Sequence, residues 1–479
     1  MTVAAQSNAV LAMEAERTLP RTLMGGTMAM RRARIKYLPQ EPAETDKAYE
    51  IRLERSFLFN GYAKTVGDMA GKVFTKPIAL GDDMPPELIG YAENIDLTGQ
   101  NLDVFSHAVF SDALAEGISY ILVEMDRAPT NEDGSPVRLN RAQEAAMNRR
   151  PWMVHVKARQ VLGWRSQAVN GVETLTQFRF IETVTEDDGE FGEEDVEQVR
   201  VFSREGSTAT WAIYRRTGET QAGGTGGQAW ALHDEGPITI GEIAICPVYV
   251  ARTGFMRGTP PLANLAESNL AHWQSQSDQR NILHVARVPI LFGAGIDDTE
   301  SWAIGANRMV TSTNPEAKLE YVEHSGAAIE SGRQDLKDLE FQMQVLGLEL
   351  LVPKPGGQTA TGAAIDQAKM NAPLSMMANA LKDALEQAFG FMAMFVGLSR
   401  DQGGGSLTVN TDFGVSLRDA QDVVALLDAV KSQIISRETF IKEMQRRGVL
   451  ADDMMTDEEI GRIAAEGFAM LEDDEIDGQ

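Results

Sequence analysis

The sequence predicts an α+β protein, and three observations carry that expectation. The N-terminal 80 residues show mostly helical periodicity. Residues 152–250 fall into short period-two runs separated by turn residues, and helical periodicity returns from about residue 260. The 479 residues exceed what one ordinary domain gathers around a single core. Hydrophobic and charged contents of 43% and 24% are those of a folded chain, not a disordered one.

In order along the chain, a basic patch (Arg31, Arg32, Arg34 and Lys36) precedes the Pro-bounded stretch YLPQEPAETD. Thr45 or Asp46 then caps a helix. Its apolar stripe, Tyr49, Leu53, Phe57, Ala63, Val66, Met69 and Ala70, predicts one element ending before Lys76-Pro77. A helix over 101–116 feeds an apolar strand at 118–123. The runs 152–156, 174–182, 197–204, 209–216 and 228–233 predict an antiparallel meander. Polar hairpins at 186–195, 204–208 and 218–227 join its strands.

Pro260-Pro261 opens a helix reaching about Arg287, roughly 42 Å long. Its middle, HWQSQSDQR, is polar nearly all round, so it is either surface-laced or packed beside copies of itself. Residues 288–326 break into short strands and turns. A second long helix, about 327–351, carries Leu336, Leu339, Met343, Leu346 and Leu350 at spacings of 3, 4, 3 and 4, an a/d seam. The loop PKPGGQTATG (353–362) leads to a helix over about 363–397 that contains Pro373 and is expected to kink there. A strand, SLTVNTDF (406–413), precedes a helical C-terminus. There Ser416 and Thr456 with Glu459 suit N-caps, Gly448 suits a helix stop, and the acidic end suits a solvated tail.

Composition and motifs exclude several chemistries. With 44 Lys plus Arg against 70 Asp plus Glu, the net charge is −26, which argues against a free monomer that grips phosphates. One cysteine, Cys246, allows no disulfide framework, and its apolar run IAICPVYV suits an inert core thiol. The N-terminus lacks a secretory pattern, and the longest near-apolar run, 389–398, is about half a membrane span. GGTGG (223–227) lacks the GK[ST] of a phosphate loop and lies between strands. The six histidines are scattered; His272 and His284 stand about 18 Å apart on one helix, too far to share a metal. The carboxylates Asp187, Asp188, Glu190, Glu193, Glu194 and Asp195 match no calcium-loop spacing and suit a solvated hairpin. The methionines of 370–394 suit core or interface filling. No catalytic constellation, metal site or cofactor site emerges, and the expectation is a protein that is not an enzyme.

The order of elements is the informative feature. Two long helices flank an insertion of about 40 residues, a Thr/Gly loop leads into a long helix, and a short acidic helical segment ends the chain. This succession resembles the tailed-bacteriophage portal proteins, the rings at the capsid vertex through which DNA is packaged and ejected. The stretches YLPQEPAETDKAYEIRLERSFLFN (37–60), PPLANLAESNLAHW (260–273), SGAAIESGRQDLKDLEFQMQVLGLELL (325–351) and QTATGAA (358–364) resemble a branch of that family catalogued as a domain of unknown function.

The resemblance implies a wing over 1–258, stem helices over 259–287 and 327–352, and a clip over 288–326 that meets the packaging motor and later the adaptor. It further implies a tunnel loop over 353–362, a long kinked wing helix and strand over 363–413, and a crown with acidic tail over 414–479. Lys354, Gln358, Thr359 and Thr361 would face DNA; lysine contacts phosphate as a point charge, and hydroxyls or an amide contact the backbone without reading bases. Thr359 or Thr361 equally suits a cap for the helix that follows. Leu336, Leu339, Met343, Leu346 and Leu350 would pack subunits, and His284 and Arg287 would face a neighbour or the channel. The implied partners are eleven further copies in a dodecamer, double-stranded DNA, the terminase large subunit, a head-to-tail adaptor and the major capsid protein, without a membrane. The implied location is the virion vertex, with the host cytoplasm during assembly. The alternatives are another virion structural or adaptor protein, or an enzyme with an unrecognised site.

Overall fold

Ser7 opens α1 (Asn8–Met24) by accepting the Val10 N–H, and α2 (Gly26–Ala33) follows directly. The computed structural model describes residues 2–127, 129, 137, 143, 146–147, 149–220, 228–286, 290–294, 316–322, 327–348, 360–411, 413, 427–432, 434–446, 450 and 461. Thr45 caps α3 (Asp46–Arg55) through the Ala48 N–H, as its position before the apolar stripe predicts.

The single helix expected from residue 46 to the proline at 77 is two. Ser56 is extended (ψ 134°), and the Asn60 side chain accepts the Ala63 N–H to start α4 (Gly61–Val73). Apolar spacing could not reveal this break, because Leu58 is buried and Phe57 half-buried within the interruption itself.

β1 (Ala79–Leu80) and α5 (Pro86–Tyr91) lead to α6 (Leu102–Glu116), capped by Asn101 and ended by Gly117 at φ +87°. A left-handed residue suits glycine because a Cβ strains there. β2 (Ile118–Glu124) is the centre of an antiparallel sheet between β3 (Trp152–Val156) and a later strand, β9 (Ile245–Tyr249). Burial from Ile118 to Val123 explains why the strand reads as an unbroken apolar run. Cys246, in β9, is fully buried, and burial pushes its thiol far up.

The meander is present as five sequential antiparallel strands: β4 (Val161–Val169), β5 (Val172–Asp188), β6 (Gly192–Glu205), β7 (Thr208–Thr220) and β8 (Gln228–Ile238). The polar stretch 186–195 is ladder, not loop. Only residues 189–191 turn, with Gly189 at φ +76°, while Glu186 faces Glu194 and Asp187 faces Glu193. Like charges opposed across a ladder cost roughly 0.2–1 kcal/mol each, tolerable here because all four side chains are exposed to water. The β6–β7 turn is two residues, Gly206 and Ser207. The GGTGG segment lies outside the described residues.

One face of the meander joins the three-stranded sheet and α1 in a shared core. Phe178, Phe180 and Phe202 meet Tyr120, Val156 and Met13, with Phe180 stacked on Phe202 at 6.1 Å. Each such apolar side chain contributes about 1.5–3 kcal/mol on burial. The short hairpin of β10 (Arg252–Gly254) and β11 (Arg257–Gly258) then carries the chain to α7 (Ala263–Ala286). β12 (Ile290–Ala294) pairs with β13 (Lys318–Val322), and α8 (Ala327–Met343) continues as a π-helical segment, Gln344–Leu348.

α9 (Ala360–Phe395) begins three residues before the expected 363 and runs through Pro373. α10 (Arg400–Gly403) follows, and the expected strand over 406–413 shortens to β14 (Leu407–Thr408), which pairs with β1. Contacts divide the chain into a unit of 1–363 with 372–411 and a unit of 364–371 with 412–479; one boundary falls beside Pro373. Within the second unit Ser436 caps α11 (Arg437–Arg446) through the Thr439 N–H at 3.0 Å. Ser416, Gly448, Thr456, Glu459 and the acidic tail lie outside the described residues. Among the described residues no helix is long and apolar enough to cross a membrane.

Candidate functional site

The region that the sequence singles out is built around α7. Its polar middle is divided: Asp278 and Arg280 are exposed to water, whereas His272, Ser277 and Gln279 are turned into the chain's own interior. Asn269 is fully buried; its Oδ1 accepts the Tyr62 N–H (2.9 Å) and its Nδ2 donates to the Phe59 carbonyl (2.8 Å). The Gln274 amide donates to the Tyr37 carbonyl (3.0 Å), and the Ser277 and Ser56 hydroxyls share a hydrogen bond at 2.8 Å. The Arg280 guanidinium lies 3.9 Å from the centroid of the Phe57 ring. Asn269 thus satisfies backbone groups that the 56–60 break frees from a helix, which buried polar groups require.

Arg52 fastens the same region from the other side. It is 5% exposed, donates from Nε and Nη2 to the Glu44 carboxylate (both 2.8 Å) and from Nη2 to the Pro39 carbonyl (2.7 Å). Asp278 of α7 lies 3.6 Å from its Nη1. The hydrogen bonds from Arg52 hold Glu44 below the usual carboxylate range against the opposing effect of burial. The stretch 37–60 and α7 are therefore one locked assembly.

α8 packs antiparallel to α7, as the contacts Glu340 with His272, Asp335 with Ser275 and the Ile329 carbonyl with Gln279 establish. Gly332 permits the approach: a Cβ there would collide with the Gln279 amide. Leu336 and Leu339 are half-buried, Met343 is 2% exposed and lies beside Gly61, and Leu346 is 39% exposed. Leu350 lies outside the described residues. The heptad spacing does not survive as one stripe because the π segment turns the helix within it. Gly347, where a Cβ would stand 2.6 Å from Leu265 Cδ2, faces inward instead. Phe341 (65% exposed) and Val345 (42%) face outward with Leu346.

Lys354, Gln358 and Thr359 lie outside the described residues. Thr361 falls in the first turn of α9, so the last three residues of the expected loop 353–362 are helical. His284 is exposed near the end of α7, and Arg287 is outside the described residues.

Sequence reading missed a Ser–His–Asp cluster. Ser119 donates to Asp112 Oδ2 (2.9 Å) and pairs with His155 Nε2 (2.8 Å), while Asp112 lies 3.6 Å from that same nitrogen. A hydrolytic triad needs its acid on Nδ1 and an accessible hydroxyl. Here acid and serine share Nε2 and Ser119 is fully buried, so the cluster ties α6, β2 and β3 together. Burial pushes Asp112 upward, but hydrogen bonds from His155 and Ser119 outweigh it and hold the carboxyl low. Nearby, Arg21 bridges Glu14 and Glu116, and the buried Arg17 donates to the Gly258 carbonyl (3.0 Å). No sequence motif signals these links, whose partners lie up to 241 residues apart. Among the described residues no group of His, Cys, Asp and Glu is placed to hold a metal.

A family model described as a domain of unknown function (DUF4055) matches residues 261–396, the span from α7 to the end of α9. No curated protein matches the chain. Among solved structures, a chain in the neck of an empty GTA particle computed with C6 symmetry is 12% identical, with 81% of this chain and 89% of that one covered at a TM-score of 0.41. A chain in the neck of a native GTA particle computed with C12 symmetry is 11% identical, with 79% and 88% covered at 0.41.

Proposed function

We propose that this chain is the portal protein of a tailed bacteriophage, a non-enzymatic ring at the capsid vertex through which double-stranded DNA is packaged and ejected. The observation that carries the reading is the antiparallel pair α7 and α8 flanking the paired strands β12 and β13, with the 36-residue α9 next in the chain. In this reading the pair is the stem, the hairpin belongs to the clip, and the segment before α9 is the tunnel loop. Copies pack along the stem, where Phe341, Val345 and Leu346 present an exposed apolar face to a neighbour. Twelve copies form the ring, the clip receives the terminase large subunit and later the head-to-tail adaptor, and the wing meets the major capsid protein. The net charge of −26 per chain gives a conduit that repels its polyanionic cargo instead of adhering to it.

Within that ring Lys354 supplies a point charge for phosphate, and Gln358, Thr359 and Thr361 supply uncharged backbone contacts. Lys354→Glu is expected to leave ring formation intact and reduce the DNA retained per particle, measured as DNA content after packaging. Unchanged DNA content would count against the DNA-facing role, and loss of the ring would make the loop structural.

A further inference from the structure

His272 stands where α7, α8 and residues 56–60 meet. It is 1% exposed, its ring centroid lies 5.3 Å from that of Phe59, and neither ring nitrogen makes a hydrogen bond. Within the same turn and a quarter of α7, Trp273 Nε1 and Gln276 Oε1 are also buried without a partner. By contrast Asn269 before them, Gln274 and Ser275 between them, and Ser277 and Gln279 after them each reach one. The orphaned polar atoms of α7 thus fall within residues 272–276, while its other buried polar side chains, Asn269, Ser277 and Gln279, each reach a partner. Buried polar groups left unpaired are costly, and a joint that carries several is poised to open.

We propose that His272 is a proton-operated latch: its neutral ring permits the closed packing of α7 against residues 56–60 and α8, and its protonated ring opens that joint. A neutral imidazole tolerates a dry site, whereas an imidazolium there must be compensated. The charged groups acting on the ring are Glu340, whose Oε1 is 3.5 Å from Nε2, and Asp335, both on α8. Residues 56–60 (Ser, Phe, Leu, Phe, Asn) bring no ionisable side chain. On α7 itself, Asp278 lies against Arg52 and Arg280 against Phe57, and Lys64 of α4 pairs with Asp68. Glu340 is 44% exposed, so its attraction is weakened by water and salt.

Burial accordingly lowers the pKa of His272 below the ordinary imidazole value of 6.5, with Glu340 and Asp335 pulling the other way without restoring it. For a group with a depressed folded value that is neutral when deprotonated, the contribution to the closed state is fully present above pH 6.5. It is lost progressively as the pH falls from 6.5 toward the folded value. Over that window one linked proton multiplies the opening equilibrium by at most about tenfold per pH unit. The latch does not depend on the portal reading, because it concerns packing within one chain.

Hydrogen–deuterium exchange on the full-length protein tests it. Peptides covering residues 56–60 and 268–282 are followed between pH 7.5 and 5.0, with intrinsic exchange rates corrected. Opening is expected to be flat above pH 6.5 and to rise below it, by at most about tenfold per unit, until the folded value is passed. His272→Gln should remove that slope, and Glu340→Gln, at a half-exposed position, should extend it to lower pH by removing the group that favours protonation. A flat wild-type profile, an unchanged slope in His272→Gln, or no shift in Glu340→Gln would overturn the proposal.

Discussion

Gly117→Ala is expected to be among the most damaging single-methyl changes available to this chain. Gly117 has φ +87°, a region that costs an L side chain roughly 1–2 kcal/mol. In addition, a Cβ there would lie within 3.0 Å of the N, C and O atoms of Thr259, all backbone and unable to swing aside. Relief requires moving residues 257–259, which Arg17 anchors at Gly258 and which feed directly into α7. The combined cost is on the order of 3–5 kcal/mol, a large part of a domain's stability. Gly171→Ala is the matched control. Its φ is +82°, but nothing stands within 4 Å of the added Cβ, so about 1 kcal/mol is expected. Denaturant midpoints of the two variants separate strain from collision; equal losses would show that the contact with Thr259 yields easily.

Arg52→Met carries the second large effect. The change leaves Glu44, whose side chain is 9% exposed, without its bidentate partner and the Pro39 carbonyl without a donor. Breaking a buried pair from one side typically costs about 3–5 kcal/mol, while removing both charges costs far less. Arg52→Met with Glu44→Gln should therefore recover much of the loss. The pH dependence supplies a sign. Glu44 has a depressed value in the fold, so its contribution is present above the usual carboxylate value and disappears as the pH falls through the folded one. In Arg52→Met the stranded carboxylate is the liability, so mild acid should stabilise the single variant while it destabilises the parent. Thermal melts at pH 7 and pH 4.5 compare the two, and parallel pH curves would refute the assigned role of the pair.

Local chemistry was readable where it decided the outcome locally. Thr45 as a cap, the strand at 118–123 and the sequential meander follow from capping chemistry and periodicity, and the structure contains all three. The helix break at 56–60 was not readable, because its stability comes from Asn269, more than 200 residues away. For the same reason the sequence does not show that part of the polar middle of α7 bonds to the Tyr37 carbonyl, the Ser56 hydroxyl and α8. The 186–195 stretch has the composition of a loop, yet its flanking strands impose their ladder on it. The a/d seam of α8 is real as a spacing, but the π segment at 344–348 rotates its second half, and Gly347 fits against Leu265 where a larger residue could not.

The proposed portal is a ring with an axial channel, built on the α7–α8 pair and α9. Particle mass measured together with electron-microscope images of the purified full-length protein tests it most directly. The proposed function requires a closed ring of many copies with a central opening, twelve in the proposed form. A stable monomer or dimer persisting at high protein concentration would contradict it.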